Sequence, residues 1–292
     1  MHRPSKSDSK TEMHLDRISN LPDTVIDHIL SYLPIRDRAK TSILSSKWRY
    51  KWATVPCLVF DNQSLPLSID NQGIFLTNKL VSDIDRVLLL HRGPICKFEL
   101  SYQHYLPAID MDKWILHLSR HPIKELILTI SNLQVYAMPS CIFSCQDLTN
   151  LDLASCFLKP PSTFKGFKYL KFLSLWNVTV DQDVLENLIA SCPMLEELDV
   201  ADLVGVNYFN INAPNLQTFG FQAPILDVSF KSTSHLVSFM VDATSRYKDY
   251  QRGNVGYPSN LIELLAEMPQ IKSISIDGFS LEVRTHFTSL IG

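Results

Sequence analysis

The cysteines and histidines of this sequence include pairs whose spacing could support metal chemistry. Cys141 and Cys145 are four residues apart, and Cys156 follows them. His117 and His121 are separated by one helical turn, a spacing that paired zinc ligands use. No glutamate follows His117 directly, and no third ligand accompanies the pair. Since a helix C-terminus favours histidine and a small thiol suits a core, we predict no metal site.

The common catalytic and phosphate-binding motifs are absent. The nine glycines form neither G-x-G-x-x-G nor G-x-x-x-x-G-K-[ST], which argues against phosphate-binding loops. The sequence also lacks G-x-S-x-G and H-E-x-x-H. We therefore expect a protein that is not an enzyme and that needs no cofactor.

Charge is distributed unevenly along the 292 residues. Hydrophobic residues make up 46% of the chain and charged residues 20%, so the chain can build a core. Residues 16–52 hold seven Lys/Arg and four Asp/Glu, net +3, and residues 53–292 hold seventeen and twenty-four, net −7. A basic N-terminal segment followed by an acidic remainder suggests that the two parts bind different partners. The total charge of −3 is too small to indicate a general nucleic-acid binder.

Neither a membrane-spanning apolar run nor a signal peptide is visible in the sequence. Six cysteines without a signal peptide indicate free thiols in a reducing compartment. We expect the nucleus or the cytoplasm, no membrane partner, and a disordered polar tail over residues 1–15.

The basic N-terminal segment has the pattern of three short helices. Pro22 lies in the first turn of the first helix, and Pro34 ends it. Asp37 is the expected N-cap of the second helix, and the third carries Trp48 and Trp52 on one face. Three short helices barely bury a core, so the segment is either a subdomain packed on the rest of the chain or an interface. The apolar residues at helical spacing in the first helix are Val25, Ile26, Ile29, Leu30 and Leu33.

The same segment resembles a known domain. L-P-D-x-V-I-x-x-I-L-S-Y-L-P-I-R-D, followed by T-S-I-L-S-S-K-W-R-x-K-W, looks like the F-box of plant F-box/leucine-rich-repeat proteins, including those with a C-terminal FBD domain. An FBD domain would follow the present C-terminus, so the chain is either a short family member or a truncated one. The resemblance implies that the residues binding a Skp-type linker protein, or forming the core of the module, are Leu21, Pro22, Ile26, Ile29, Leu33, Pro34, Ile43, Leu44, Ser45 and Trp48.

The rest of the chain carries an internal repeat. The phrase L-x-x-L-x-L, with any apolar residue at the L positions, occurs eight times at intervals of 20 to 35 residues. One such unit cannot bury its own apolar face, whereas stacked units share a continuous core. The copies are Ile95-Phe98-Leu100, Ile123-Leu126-Leu128, Leu148-Leu151-Leu153, Leu170-Leu173-Leu175, Leu195-Leu198-Val200, Leu216-Phe219-Phe221, Leu236-Phe239-Val241 and Ile271-Ile274-Ile276.

Some intervals between the phrases carry helix signals. Asp110, Asp181 and Ser259 are the expected capping residues of three helices, each followed by a proline just past its end. The units that begin at Leu195 and Leu216 are too short for a long helix, so we expect turns or extended chain there. Residues 244–258 form a polar, tyrosine-rich insert that is a second candidate for partner binding.

These elements predict an α/β protein with an N-terminal three-helix F-box. An irregular leucine-rich-repeat solenoid follows it, with a curved parallel sheet and with helices and loops on the convex side. Leu58-Val59-Phe60 predicts a lone strand and residues 75–90 a helix, both within a cap. The expected domains are an F-box at 16–56, a linker and N-terminal cap at 57–94, and repeats at 95–292.

The third and fifth positions of each phrase point away from the core onto the concave side. With Trp176, Asp242 and Asp277 one step further along, these positions hold seven carboxylates and one lysine. The surface is either an ordinary solvated strand face or a docking surface for a basic or amide-rich protein segment. Its acidity disfavours nucleic acid. The candidate target-binding residues are Phe172, Trp176, Glu197 and Asp199.

The resemblance implies a function as a substrate-recognition adaptor of a Skp–cullin–F-box type E3 ubiquitin ligase. The F-box would bind the Skp-type linker, and through it a cullin and a RING subunit. The repeat arc would recruit an unknown target protein for ubiquitination. The alternative is a non-catalytic interaction scaffold that delivers no target.

Overall fold

A computed structural model describes residues 17–61, 73–102, 106–130, 135–222, 228–242, 270–276 and 279–282. The expected tail at 1–15, the insert at 244–258, the helix expected to begin at Ser259, and Asp277 lie outside the described residues.

The N-terminal module contains two α-helices, α1 (Asp23–Ser31) and α2 (Ile35–Lys40), followed by short 3-10 helices at Thr41–Ile43 and Lys51–Thr54. The prediction of a third α-helix carrying both tryptophans is wrong, because Trp48 lies in a turn and Trp52 in a 3-10 helix. Successive hydrogen bonds there join residues three apart. Serine, tryptophan and tyrosine favour a helix only weakly, which leaves the choice to packing.

The start of α2 also differs from the prediction. Pro34, not Asp37, is the N-cap, and its carbonyl oxygen accepts hydrogen bonds from the amides of Asp37 and Arg38 at 2.9 and 3.0 Å. Proline itself has no amide to satisfy at this position, so it suits a helix start. Asp37 lies in the first turn, where its charge is favourable.

Within the described residues, ten strands form one sheet whose order follows the sequence. Neighbouring strands are parallel except for the last two, which are antiparallel. The strands are β1 (Cys57–Phe60), β2 (Lys97–Tyr102), β3 (Glu125–Ile130), β4 (Asn150–Ala154), β5 (Phe172–Trp176), β6 (Glu197–Ala201), β7 (Thr218–Gln222), β8 (Ser238–Asp242), β9 (Ser273–Ile276) and β10 (Phe279–Glu282).

Strand β1 is not the lone strand that the sequence predicted. It pairs in parallel with β2, with Leu58 opposite Phe98 and Phe60 opposite Leu100. All four of these side chains are at most 1% exposed, so β1 extends the core of the repeats. It also covers the edge of β2, whose backbone groups would otherwise be unpaired.

The predicted register of the eight phrases is confirmed by burial. No phrase residue with a described side chain is more than 7% exposed. Intervening residues lie on the opposite side of the sheet, as the alternating burial of β2, β3 and β5 illustrates. This side, defined by the residues between the buried phrase positions, is called the open face below.

The connections behind the sheet vary from repeat to repeat. Helices α3 (Gly73–Leu90), α4 (Ala108–Leu118) and α5 (Gln182–Ala190) include the predicted helix ending at residue 90 and the one capped by Asp181. Helix α4 begins two residues before Asp110, with Pro107 as its N-cap, because proline fixes the backbone for a helix start. None of the helices in the described part of the chain has the length and apolar character required to cross a bilayer.

Extended chain replaces helices in several of the remaining connections, as expected for the two short units. Residues Phe209–Asn212 pair in parallel with Val228–Lys231, and Tyr136–Ala137 pair with Cys156–Phe157. Ser155, Asn177 and Asp202 each follow a sheet strand directly and have φ between 50° and 55°. Short polar residues tolerate this left-handed conformation, which turns the chain away from the sheet.

A buried arginine joins the N-terminal module to the sheet. Arg38 is 4% exposed. Its guanidinium donates hydrogen bonds to the carbonyl oxygens of Leu33 (2.6 Å), Cys57 (2.6 Å) and Ser31 (3.4 Å). The first and last of these acceptors lie at the end of α1, and the second begins β1. Ile35 of α2 packs into the main core, so the module is attached by both polar and apolar contacts.

Candidate functional site

The N-terminal module has a small closed core of its own. Ile26 and Leu30 of α1 are 0% exposed and pack with Trp48 and Val55. Leu21 and Leu33 are partly buried against this cluster. Ile26, Trp48, Leu21 and Leu33 therefore hold the module together. All four were among the ten residues assigned either to linker binding or to the core.

A second group of the predicted residues lies on the surface. Ile43 is 87% exposed, Leu44 47% and Ile29 37%, and Pro22 is also exposed. Exposed apolar side chains that are grouped on one surface, rather than scattered singly, mark a candidate protein interaction site. These four are the sequence-predicted residues that remain accessible to a partner.

The surface contains apolar residues that were not chosen from the sequence. Val25 of α1 (39% exposed) lies four residues before Ile29, and Tyr32, the helical C-cap of α1 (77%), lies three residues after it, so the three side chains share one face. Ile18 and Tyr50 are exposed as well. The apolar residues of α1 thus occupy two faces, one buried and one open, which explains why periodicity alone did not separate them.

Pro34 and Ser45 have local structural roles. Pro34 caps α2, and the carbonyl of Ser45 accepts a hydrogen bond from the Trp48 amide at 3.2 Å. The hydroxyl of Ser45 is enclosed and has no hydrogen-bond partner within the described residues.

The two tryptophans are buried rather than part of an exposed interface. Trp48 is 2% exposed and donates a hydrogen bond from Nε1 to the Ile18 carbonyl at 3.2 Å; Trp52 is 9% exposed. The lysines nearby form ion pairs with Asp23, at 2.9 Å from Lys51 and 3.5 Å from Lys47. These contacts lower the pKa of Asp23, the hydrogen bond from Lys51 contributing most. Much of the local positive charge therefore stabilises the start of α1.

Three of the six cysteines lie in the core, where a small apolar side chain fits, and the other three are partly exposed. All six, each within the described residues, are free thiols. Cys145, Cys156 and Cys192 are at most 5% exposed, and burial raises the pKa of Cys156 to about 12. Such thiols are poor nucleophiles at neutral pH.

The two histidines on α4 and just after it are close to each other. The rings of His117 and His121 are 4.9 Å apart, and burial lowers the pKa of both. The described residues contain no group of three or more histidines, cysteines and carboxylates that could hold a metal ion.

The open face of the sheet is organised in rows of side chains, because neighbouring strands are in direct register. One row, called the central row below, crosses eight consecutive strands from β2 to β9. Residues that neighbour each other in such a row lie close enough for their side chains to interact. The central row consists of Glu99, Ile127, Asp152, Ser174, Asp199, Gly220, Met240 and Ser275.

Charge compensation on the open face is one-sided. Lys97 pairs with Glu99 at 3.2 Å and with Glu125 at 3.4 Å, at the N-terminal side of the sheet. Further along, neither Asp152 nor Asp199 forms an ion pair within the described part of the chain. Burial raises the pKa of both carboxyls. The charges of Glu197 and Asp152 raise that of Asp199 further.

A cavity of about 380 Å³ opens on this face between β5 and β9. Trp176 and Asp199, two of the four predicted target-binding residues, line it together with Gly220 and Met240. Trp176 donates a hydrogen bond from Nε1 to Asp202 at 3.4 Å. The cavity is therefore a pocket with an aromatic wall, a thioether wall and a carboxylate between them.

The other two predicted residues lie outside the pocket lining. Phe172 and Glu197 are lateral neighbours at the opposite end of the same strands. Phe172 and Trp176 are four positions apart along β5, which corresponds to roughly 13 Å. The structure thus places the four residues on one face but brings only Trp176 and Asp199 into one pocket. Gly220 was not selected from the sequence. It could have been noticed there, because it is the one glycine among the outward-pointing positions of the eight phrases.

Comparison with known proteins gives two family matches. Residues 18–60 match the F-box domain, and residues 111–256 match the leucine-rich repeats of the family described as FBD-associated F-box protein At5g56370, LRR repeats. The second match covers half of the chain and includes the pocket strands β5 to β8.

Similar curated proteins come from Arabidopsis thaliana. The F-box/FBD/LRR-repeat protein At1g13570 is 39% identical over 259 residues, which are 89% of this chain and 61% of that protein. The FBD-associated F-box protein At5g56370 is 32% identical over 70% of this chain and 49% of its own length. The F-box/LRR-repeat protein At3g26922 is 32% identical over 69% of this chain and 65% of its own length. The chain thus spans less than two thirds of each of these relatives.

Proposed function

Because the chain belongs to the plant F-box/FBD/leucine-rich-repeat family, we propose that it is a substrate-recognition adaptor of a Skp–cullin–F-box ubiquitin ligase. Residues 16–56, the F-box, bind a Skp-type linker, which connects to a cullin and a RING subunit. Residues 57–94 cap the repeats, and residues 95–292 hold a target protein. The adaptor contributes proximity, which raises the effective concentration of a target lysine near the ubiquitin-conjugating subunit.

The exposed apolar surface of the N-terminal module carries this proposal. The module already encloses Ile26, Leu30 and Trp48, so its exposed apolar residues are not needed for its own core. Burial of apolar surface contributes about 25 cal/mol per Å², which makes Ile43 and Tyr32 strong candidates for contact with a partner. In this proposal Pro22, Ile29, Ile43 and Leu44 contact the linker, and Val25 and Tyr32 extend that contact.

The open face is the proposed target-binding surface. Trp176 and Asp199 lie in its pocket, and Phe172 and Glu197 continue the surface toward the other end of the strands. An aromatic anchor among carboxylates favours a basic protein segment and disfavours nucleic acid.

Linker binding is tested best at Ile43, the most exposed apolar side chain of the module. Ile43→Asp should reduce the affinity for a co-expressed Skp-type linker by at least about tenfold, since a charge would replace a buried contact. Ile109→Asp is the matched control, because Ile109 is 76% exposed on α4, outside the module. Full linker capture by Ile43→Asp, and also by a Leu21→Ala, Pro22→Ala double variant with a normal circular dichroism spectrum, would contradict the assignment.

Ubiquitination of the captured protein distinguishes a ubiquitin-ligase adaptor from an interaction scaffold. Proteins captured by the wild-type chain should accumulate when the proteasome is inhibited and should carry ubiquitin. Neither effect should occur with Ile43→Asp. Capture of the same proteins without ubiquitin, by a chain that binds the linker, would support the scaffold instead.

A further inference from the structure

The pocket on the open face is formed around a glycine that is required for space. Gly220 lies in the central row between Asp199 and Met240. Its φ is not in the positive range, so backbone conformation does not demand a glycine there. A Cβ atom at this position would overlap Oδ1 of Asp199 and would lie 3.6 Å from Cε of Met240. The absent side chain is what admits the Asp199 carboxylate and opens the cavity.

Trp176 forms a wall that is held in place yet remains accessible. The sequence contains four tryptophans, and the other three are at most 9% exposed, whereas Trp176 is half-buried. Its lateral neighbours in the sheet are Ala154 and Ala201, which leave room for the indole ring. The hydrogen bond from its Nε1 to Asp202 restricts the orientation of the ring.

The polar groups of the pocket favour a cation. Asp199 has no ion-pair partner among the described residues, and its burial beside two other carboxylates disfavours its charged form. A guanidinium would stabilise the charged form of Asp199, because it pairs with a carboxylate through two parallel hydrogen bonds. The same planar group stacks on an indole, and its weak hydration lowers the cost of leaving water. An ammonium group pairs with the carboxylate but has no plane to stack.

We propose that this pocket receives an arginine side chain of the recruited protein, with its guanidinium between Asp199 and the ring of Trp176. This proposal rests on the proposed function, because it assumes that the protein bound at the pocket is a recruited target. A cavity of about 380 Å³ exceeds one side chain, so residues next to the arginine enter as well. Gln222, two residues after Gly220 on β7, also lines the cavity.

Selection from a phage-displayed library of random nine-residue peptides on the immobilised full chain tests the proposal. Peptides retained by the wild-type chain should be enriched in arginine at one position, by about tenfold over the unselected library. Asp199→Asn and Gly220→Ala should each abolish this enrichment. Glu125→Gln is the matched control, since it removes one negative charge from the open face three strands away and should preserve the selected arginine.

Several outcomes would overturn the arginine pocket. They are the absence of enrichment with the wild-type chain, equal enrichment of lysine, and persistence of arginine with Asp199→Asn. If circular dichroism shows that the Gly220→Ala variant is unfolded, the result with Asp199→Asn alone decides whether the pocket selects arginine. The selection uses neither linker nor ubiquitin, so a failure of linker binding refutes the adaptor and leaves this result intact.

Discussion

At the scale of single residues, Asp199 is a carboxylate whose surroundings disfavour its charged form. Its carboxylate is partly buried, lacks a cation among the described residues and lies near Glu197 and Asp152, so its pKa is raised. Lys97 compensates the acids on β2 and β3 but is several strands away. Proteins keep such unfavourable groups where a partner uses them, at the expense of stability.

Asp199→Asn should therefore stabilise the folded chain at neutral pH. A carboxyl whose pKa is raised on folding binds more protons in the folded state, so its ionisation destabilises the fold as pH rises through the folded pKa. The gain from Asp199→Asn should shrink as pH falls toward the ordinary aspartate value of 3.8. Thermal melts across this pH range measure the effect.

Asp147→Asn is the control variant, because Asp147 is exposed in a turn. Its melting temperature should differ little from that of the wild-type chain. A lower melting temperature for Asp199→Asn at neutral pH would mean that the carboxylate has a stabilising partner in the folded protein.

At the scale of elements, the strands pack in the same way whether a helix or extended chain follows them, because each strand buries apolar side chains at the same positions. The repeat with helix α5 buries mostly leucine and isoleucine. Strands β7 and β8, next to extended connections, bury phenylalanines, and ring centroids in this group lie 5.3 to 6.4 Å apart. The packing of these rings supplies much of the apolar core of this part of the sheet.

Leu198→Ala should destabilise the repeats by roughly 2–5 kcal/mol, as removal of a fully buried leucine leaves a cavity. Leu198 is 0% exposed on β6, between two neighbouring strands. Urea denaturation followed by circular dichroism measures the free energy of unfolding. Glu197→Ala, one residue earlier and exposed, should change it by less than about 1 kcal/mol, and equal losses for the two variants would refute the burial register.

At the scale of the whole molecule, the proposed adaptor function requires the two proposed binding surfaces to keep a fixed relative position. Arg38 supports that relation, since one guanidinium binds carbonyl groups of the N-terminal module and of β1. Ile35 adds an apolar contact to the main core. The amide of Arg92, after α3, donates a further hydrogen bond to the Ala53 carbonyl at 2.8 Å.

Arg38→Ala should cost about 3 kcal/mol of stability, because it leaves buried carbonyl groups without their charged donor. We also expect ubiquitin transfer to a bound target to fall more than linker binding does, since the junction would loosen while Ile43 stays exposed. Linker capture and ubiquitin transfer are measured on the same preparation. Arg36→Ala, at an exposed site on α2, should leave both unchanged, and a parallel fall of both in Arg38→Ala would indicate unfolding of the module instead.

The sequence by itself determined the repeat, its register and the resemblance to an F-box. Buried apolar positions recur at fixed local spacing, so Leu173 and Leu198 could be assigned to the core without coordinates. Helix α5, with its N-cap Asp181, was likewise readable from signals a few residues apart. Both features depend on residues that are close together in the sequence, so they can be recognised from the sequence alone.

Only the tertiary structure decided which apolar side chains stay exposed and which groups meet. Trp48 is buried because its indole reaches the Ile18 carbonyl, thirty residues away in sequence, and Ile43 is exposed because nothing covers it within the described chain. Gly220 and Asp199 meet because two strands align laterally, twenty-one residues apart. Such contacts depend on strand register and packing across long loops, and no local periodicity encodes which distant residues become neighbours.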